Sequence, residues 1–491
     1  MKTFARLAIA LTVLMALAGL ASAQSWTPLT NQPGVNVGPM LQLRDGRILV
    51  HEEQAGNARA WHVLTPSATG SYVGGTWSSG GLLPTNYSPF YFGSQVLLDG
   101  QTVVIEGGEY NFGSAVWTNL GARLTYSGSS FTWVANSPPA GWSQIGDAQS
   151  VILADGRYMQ ASCCSPQVGS AFYNGPNSWL PNGNIVGFAN DEGGYALLQN
   201  GKVLMVDAWS TVCSSFGSSE LFNPTTNTWS CGPITPAQLW DNSGHELGPA
   251  VVMHNGKVFQ VGATNNTAVY NPTANSWAAG PTPPNGLTGY DAPGALEPNG
   301  KVLEMLGPSG FASGCQFMEY NLNGTLTNTV NPANCPGDPS FIGHLMVLPT
   351  GQIMFTDLSG FVEVYTPAAG VNPAAIPTIL GISSPLLPGT VNNVLWGKQL
   401  NGLSQNNAYG DDYQGDTNFP LIRLTCANVQ NNTCTVGNVY FALTHNESTH
   451  SIAPGTIMYT KFDIPATVPA GTYQLVSIAS GVASNPIIVV L

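Results

Sequence analysis

Acidic residues recur at fixed distances from a repeated turn, and such clusters can bind cations. The turn is Asp, Asn or Thr followed by Gly and then Lys, Arg or Gln, and it separates two short apolar runs at seven places. The positions ten and nine residues before these glycines and six residues after them number 21, and nine hold an acid, against about one expected from 26 acids in 491 residues. The acids are Asp147, Asp191, Glu192, Glu246 and Asp291 before the turns, and Glu52, Glu106, Asp207 and Asp357 after them.

Two interpretations of these acids remain open. Crowded carboxylates repel one another and have raised pKa values unless a cation or hydrogen-bond donors offset the repulsion. An oxygen-rich cluster suits a divalent cation such as calcium or magnesium, or a cationic ligand. Alternatively, each acid accepts backbone N–H groups in its own loop and is solvated separately. The sequence contains no EF-hand motif that would decide between them.

Aromatic residues occupy the same positions relative to the turns. Tyr91 and Tyr290 lie nine and ten residues before a turn glycine. Rings beside carboxylates suit sugar binding, because the ring covers the apolar face of the pyranose while the acids take its hydroxyls; such rings are also ordinary loop anchors. Motifs for a nucleophile elbow, a phosphate loop and a zinc-protease helix do not occur. An acidic and aromatic segment at 402–413 either braces the fold or contacts a ligand.

The repeats predict the elements that position these residues. Asn-Gly or Asp-Gly between two hydrophobic runs is a strong hairpin signal. The turn glycines recur at intervals of 44 to 56 residues, which is the period of kelch-type propeller blades. We therefore predict a seven-bladed β-propeller in which the acids surround one mouth of the central channel. The last repeat lacks a fourth strand, and we expect the segment around Trp26 to supply it and close the ring. The turn glycines are Gly46, Gly100, Gly156, Gly201, Gly256, Gly300 and Gly351.

The chain divides into four predicted segments. Residues 1–23 combine an N-terminal Lys and Arg with an apolar run and an Ala-Ser-Ala cleavage pattern, which indicates a secretory signal peptide. Residues 24–367 form the propeller, and 368–375 form a linker. Residues 376–491 have short alternating strands and predict an immunoglobulin-like β-sandwich. Both folded domains are therefore all-β, and the product is secreted, extracellular or periplasmic, with no membrane span after cleavage.

Charge and cysteine content restrict the partners and the compartment. The net charge of −13 and the absence of any run of three basic residues exclude nucleic acid as a partner class. Export permits disulfides among the eight cysteines. Pairing of sequence neighbours joins Cys213 to Cys231, Cys315 to Cys335 and Cys426 to Cys434, and leaves Cys163 and Cys164 either bridged to each other or reduced.

The signal peptide, seven kelch-type blades and C-terminal sandwich together resemble galactose oxidase and glyoxal oxidase, the secreted copper-radical oxidases. That family holds copper with a Cys cross-linked to a Tyr, a Tyr–His pair in the last blade, and a His from the C-terminal domain. The Cys position falls on Val37 and the cross-linked Tyr position on Tyr91, whereas the Tyr–His pair falls on Phe341 and Ile342. The C-terminal His corresponds to His450. Val, Phe and Ile supply no copper ligand, so copper is not expected.

Two functions from different classes follow. The first is a non-catalytic binding module that takes a glycan, another polar ligand or a protein through the acidic channel face, with a divalent cation such as calcium. Its partner would be a polysaccharide, a glycoprotein or a cell-surface protein. The alternative is a divergent copper-dependent oxidase of primary alcohols or aldehydes, with its metal site rebuilt from Tyr91, His344 and His450. Cofactor identity and oligomeric state do not follow from the sequence.

Overall fold

The fold is known from a computed structural model. It describes residues 24–54, 58–164, 169–209, 212–214, 216–410, 415–429 and 433–491, and the predicted signal peptide lies outside them. Regular structure in these ranges is β-strand apart from short 3-10 turns, which confirms the predicted all-β class. The 3-10 turns are Pro284–Gly286, Cys335–Gly337, Ser340–Ile342 and Pro373–Ala375. No helix in these ranges is long and apolar enough to cross a membrane.

Seven antiparallel sheets within the described residues form the blades of the propeller. Blades 1 to 4 contain Val37–Gln42, Ile48–Glu52, Ala60–Thr65 and Thr76–Leu82; Gly93–Val96, Thr102–Glu106, Gly121–Ser127 and Ser130–Asn136; Ser150–Ile152, Tyr158–Ala161, Ser170–Tyr173 and Trp179–Pro181; and Ala196–Leu197, Val203–Asp207, Ser218–Asn223 and Thr228–Cys231. Blades 5 to 7 contain Leu247–Val252, Val258–Gly262, Thr267–Asn271 and Ser276–Ala279; Gly294–Leu296, Val302–Leu306, Gln316–Tyr320 and Leu326–Asn328; and His344–Val347, Ile353–Thr356, Glu363–Thr366 and Ser25–Pro28.

The first strands of successive blades contact one another around the whole ring, and the first strand of blade 7 contacts that of blade 1. These strands therefore surround the central channel. The seven turn glycines that join first to second strands all have φ between 78° and 95°. Because L-residues with a side chain rarely adopt such φ values, the turn pattern in the sequence reports the hairpins directly.

The ring is closed by the first described strand. Ser25–Pro28 pairs antiparallel with Glu363–Thr366 and forms the outer edge of blade 7. Trp26 packs its ring against Phe317, Phe355 and Tyr365, with centroid distances of 5.1, 5.6 and 5.0 Å. Its indole N–H donates to the carbonyl of Val330 at 2.8 Å. The closing strand is thus held by packing as well as by the ladder.

The C-terminal residues form a further antiparallel sheet with its own hydrophobic core, which includes Leu395, Leu424 and Tyr473. Its strands are Thr378–Ile382, Asn393–Lys398, Leu421–Cys426, Val439–His445, Ile457–Asp463, Thr472–Ala479, Val482–Ala483 and Ile487–Val490. The immunoglobulin-like topology and the boundary at residue 376 stay predictions.

One segment of this C-terminal region enters the propeller channel. Asn407–Ala408 pairs antiparallel with Gly294–Ala295 and adds a fifth strand to blade 6. The Asn407 side-chain oxygen accepts the backbone N–H of Val347 in blade 7 at 2.9 Å. Gln405 accepts the backbone N–H of Leu197 in blade 4 at 2.6 Å. The segment therefore satisfies inner-strand donors on several blades and fixes the residue that follows it, Tyr409, in the channel.

Four disulfides staple the described chain. They join Cys163 to Cys164, Cys213 to Cys231, Cys315 to Cys335 and Cys426 to Cys434. The three neighbour pairings are confirmed, and the open question about the adjacent pair is settled in favour of a bridge. Disulfides of this number fit an extracellular location.

Candidate functional site

A cavity of about 330 Å³ lies at the channel mouth and combines acids with aromatic rings. Its walls contain the carboxylates of Glu109, Asp147, Glu192, Glu246 and Asp291 and the rings of Tyr91, Tyr110, Phe311, Phe341 and Tyr409. None of the lining residues named here is a lysine, arginine or histidine, so the five carboxylates make the lining negative unless they bind protons or cations.

The lining residues come from equivalent places on consecutive blades. Tyr91, Asp147, Glu192, Glu246 and Asp291 precede the first strands of blades 2, 3, 4, 5 and 6 respectively. Each sits where the chain enters the ring of inner strands, so its side chain reaches the channel mouth. Tyr91, Glu192 and Asp291 have φ of 52°, 59° and 40°. Left-handed conformations at non-glycine residues cost about 1–3 kcal/mol each and concentrate at ligand sites.

Glu109 and Tyr110 reach the cavity through a small extra sheet. Tyr110–Asn111 pairs with Pro89–Phe90 and with Ser114–Ala115, beside blade 2. The rings of Tyr91 and Tyr110 are 6.1 Å apart at 61°. The extra sheet therefore forms one aromatic wall of the cavity.

Three of the acids converge closely enough to share one ion. Glu192, Glu246 and Asp291 each place a carboxylate oxygen within 4.8 Å of the other two. Burial raises the pKa of Glu246, whereas hydrogen bonds with Glu192 and Asp291 partly offset that rise. Like charges this close favour protonation or a bound cation.

A second group shares Asp147 with the cavity wall. Oxygens of Asp147 and Asp191 and the sulfurs of Cys163 and Cys164 all lie within 4.8 Å of one another. Burial raises the pKa of Asp191 to about 7, and the charge of Glu246 contributes to the rise. The two groups are therefore electrostatically connected.

Tyr409 forms the part of the wall contributed by the C-terminal region. Its hydroxyl donates to the backbone carbonyl of Phe341. Its ring stacks on His344 with centroids 5.3 Å apart and planes 2° from parallel. Burial lowers the pKa of His344 to about 3, so this imidazole is neutral at neutral pH.

His450 lies in a buried ion network instead. Arg44 forms two hydrogen bonds of 2.8 Å with Glu447, and His450 contacts Glu447 at 3.2 Å and Asn418 at 3.0 Å. The Arg44 guanidinium also lies 4.4 Å from the centroid of the Phe419 ring. Burial alone would raise the pKa of Glu447, but Arg44 and His450 outweigh it and lower that pKa to about 2. The network ties blade 1 to the C-terminal sheet.

The residues present do not fit the copper group that the resemblance implies. Val37 is a buried residue of blade 1, and Phe341 and Ile342 lie in a 3-10 turn before blade 7. Within the described ranges, two groups of three or more histidine, cysteine or carboxylate ligand atoms converge within 4.8 Å, and neither contains a histidine. Tyr91 lines the cavity, whereas both ring nitrogens of His450 contact Glu447 and Asn418.

The four acids that follow the hairpins do not line the cavity. Asp207 accepts the backbone N–H of Trp209, and Asp357 accepts that of Ser359, as the local-capping alternative expects. Glu52 and Glu106 instead accept from the side chains of His62 and Asn136, on other strands of the same blades. Tyr290 does not line the cavity, and its ring packs 4.8 Å from that of Phe311.

Four lining residues were not singled out from the sequence: Glu109, Tyr110, Phe311 and Tyr409. Glu109 follows a Gly-Gly pair at the end of a blade-2 strand, and Tyr409 belongs to the acidic, aromatic segment at 402–413. These two sequence features could have indicated Glu109 and Tyr409. Residues 411–414 of that segment lie outside the described ranges.

The chain was compared with solved structures, and the fold likeness rests on a TM-score above 0.5. A fungal alcohol oxidase of the AA5 family, solved in complex with copper, is similar with a TM-score of 0.53 and 15% identity, covering 96% of this chain and 100% of that chain. The structure of YjhT gives a TM-score of 0.38 at 15% identity, covering 58% of this chain and 95% of that chain. The extracellular domain of BT4673 from B. thetaiotaomicron gives a TM-score of 0.46 at 10% identity, covering 76% of this chain and 46% of that chain. No family model and no curated protein matches the chain. The likeness to the oxidase supports the fold alone.

Proposed function

We propose that this chain is an exported binding protein whose channel-face cavity holds a calcium ion and binds a glycan or another polyhydroxylated ligand. The observation that carries the proposal is the convergence of Glu192, Glu246 and Asp291, from three successive blades, at the wall of an aromatic cavity. Four disulfides support the exported location.

The ligand chemistry favours calcium over magnesium. Magnesium demands near-ideal octahedral geometry and usually keeps several waters beside one or two carboxylates, whereas calcium accepts more carboxylates in a flexible geometry. Three carboxylates from three separate blades converge here, which is a ligand set of the calcium kind. Calcium also takes six to eight ligands, so hydroxyls of a bound molecule can complete its coordination.

The cavity suits a polar ligand with an apolar face. Its volume of about 330 Å³ is at the lower end for small-molecule sites. Phe311 is 41% exposed and Tyr91 is partly exposed, so their rings are accessible for stacking. Rings of this kind cover apolar ring faces, while the acids and a calcium ion take hydroxyl groups.

Calorimetric titration of chelator-treated protein with calcium tests the cation. We expect one ion per chain, and Glu246→Gln should weaken binding roughly tenfold or more, because it removes a charged ligand. Asp155→Asn is the matched control: Asp155 is an exposed acid paired with Arg157 in the blade 3 hairpin turn, and its loss should change nothing. Binding that is equal in both variants, or absent from wild type, ends the cation proposal.

A glycan array probed with and without calcium tests the ligand. We expect calcium-dependent retention on particular glycans, abolished in Tyr91→Ala while calcium binding persists. Calcium binding with no glycan retained at any concentration would leave the cation site standing and contradict the ligand class.

A further inference from the structure

The sequence places two cysteines side by side, and the fold places two carboxylates against them. Cys163 and Cys164 form a disulfide between adjacent residues. The Cys164 sulfur lies 3.8 Å from an oxygen of Asp147 and 3.6 Å from an oxygen of Asp191. Both cysteines are buried, with 0% and 6% exposure. A disulfide sulfur has no proton to donate, so these approaches are not hydrogen bonds while the bridge is closed.

We propose that opening the Cys163–Cys164 bridge creates a zinc-type metal site made of the two thiolates and the carboxylates of Asp147 and Asp191. Two sulfurs and two oxygens are an accepted ligand set for a tetrahedral divalent ion of this class. All four ligand atoms already lie within 4.8 Å of one another. The site is separate from the calcium site, and its existence does not depend on the proposed function.

Opening the Cys163–Cys164 bridge requires a reductant, and a dithiol can supply the electrons. The dithiol gives two electrons and two protons to the bridge, becomes a disulfide itself, and leaves Cys163 and Cys164 as thiols. A divalent ion then displaces both thiol protons, because the thiolate is the form that binds metal. While the disulfide is intact, the two sulfurs are bonded to each other, so the two thiolate ligands do not exist. The bridge thereby excludes the metal, and its reduction admits the metal.

The proposed metal site at Cys163 and Cys164 shares a residue with the cavity. Asp147 belongs both to the cavity wall and to the sulfur group. Gly146, the residue before it, has φ of 65°, and a Cβ there would lie 2.1 Å from the Cys163 sulfur. The backbone therefore lies directly against the bridge, and metal binding at the pair would draw on a side chain that also faces the cavity.

Cadmium titration of the full chain, before and after treatment with a dithiol, tests the proposal. Sulfur-bound cadmium gives an ultraviolet charge-transfer band, so the readout reports sulfur ligation directly. We expect reduced wild type to bind one cadmium ion with this band and oxidised wild type to show none. The number of thiols released without loss of the native fold is measured in parallel.

Variants separate this pair from the other disulfides. Cys163→Ser with Cys164→Ser should abolish the band, while Cys213→Ser with Cys231→Ser should keep it. Asp147→Asn with Asp191→Asn should weaken cadmium binding roughly tenfold or more while releasing the same number of thiols. A band that survives the first double variant, an unchanged affinity in the carboxylate variant, or failure of the pair to open in folded wild type would each overturn the proposal.

Discussion

Glu246 and Asp291 place carboxylate oxygens within 4.8 Å of each other, although each precedes the first strand of a different blade. Neither the strand pairing within each blade nor the hairpin turns bring these two carboxylates together. Their proximity results from a shared position at the entrance to the inner ring, and Glu192 has the same position on blade 4. Repulsion among the three must be offset by protons or by a cation. We therefore expect the site to respond to pH and, under the proposed function, to calcium.

Metal-free protein should lose stability as the pH rises. Burial and the nearby charge of Glu246 raise the pKa of Asp191 from its ordinary value of 3.8 to about 7 in the folded chain. A raised carboxyl pKa contributes stability that is present below the unfolded value and is lost as pH rises through the folded one, so the window is about 4 to 7. We expect the melting temperature in chelator to fall from pH 5 to pH 8. Calcium should raise it more at pH 8, and an equal or larger calcium effect at pH 5 would contradict the account.

Removing one charge of the cluster should stabilise the metal-free form. Glu246→Gln relieves the repulsion that Glu246 exerts on Asp191. In chelator at pH 8 the variant should melt at or a few degrees above the wild-type temperature, and calcium should no longer shift it. Differential scanning calorimetry beside Asp155→Asn measures both effects. A large drop in melting temperature for Glu246→Gln in chelator would show that the carboxylate has a structural role.

Breaking the Arg44–Glu447 pair should be costly. Both side chains are fully buried, so Glu447→Gln leaves the Arg44 guanidinium without its charge partner. The expected loss is about 3–5 kcal/mol in the free energy of unfolding, measured in urea. The double variant Arg44→Met with Glu447→Leu should recover much of it, since no unpaired charge remains. A loss below about 1 kcal/mol for the single variant would show that water reaches the network.

Ring closure should depend on Trp26. Its ring contacts Phe317, Phe355 and Tyr365, so Trp26→Ala should cost about 3 kcal/mol of unfolding free energy. Trp396, which is 43% exposed in the C-terminal sheet, supplies the control, and Trp396→Ala should cost less than about 1 kcal/mol. Equal costs would mean that the closing strand contributes little.

Copper loading should not produce an oxidase. Val37, Phe341 and Ile342 offer no ligand, and His450 is engaged by Glu447 and Asn418. We expect no peroxide from primary alcohols or aldehydes after incubation with copper and removal of the excess. One tightly held copper per chain together with peroxide release would restore the oxidase alternative.

The propeller was predictable because its signal is local. Turn glycines such as Gly100 report hairpins at positive φ. The strand-entry acids Glu192 and Asp291 each precede a turn glycine by nine residues, so they could be placed on one face from the sequence alone. The acids six residues after the turns are spaced just as regularly, yet they accept hydrogen bonds from donors within their own blades. The side-chain amide of Asn136, for example, donates to Glu106. Spacing does not show which side chains find a partner nearby.

Tyr409 could not be placed from the sequence for a different reason. It reaches the cavity because Asn407–Ala408 pairs with Gly294–Ala295, a contact between distant parts of the chain. No periodicity encodes such a pairing. The same applies to Phe311, which lies on the cavity wall without any accompanying motif.

The most direct test of the central claim is the anomalous scattering of crystals of the full exported chain grown with calcium. We predict one calcium peak at the channel mouth, with oxygens of Glu192, Glu246 and Asp291 at about 2.3–2.6 Å from it. A map in which the three carboxylates surround no ion at saturating calcium, or in which calcium lies only elsewhere on the protein, would contradict the account.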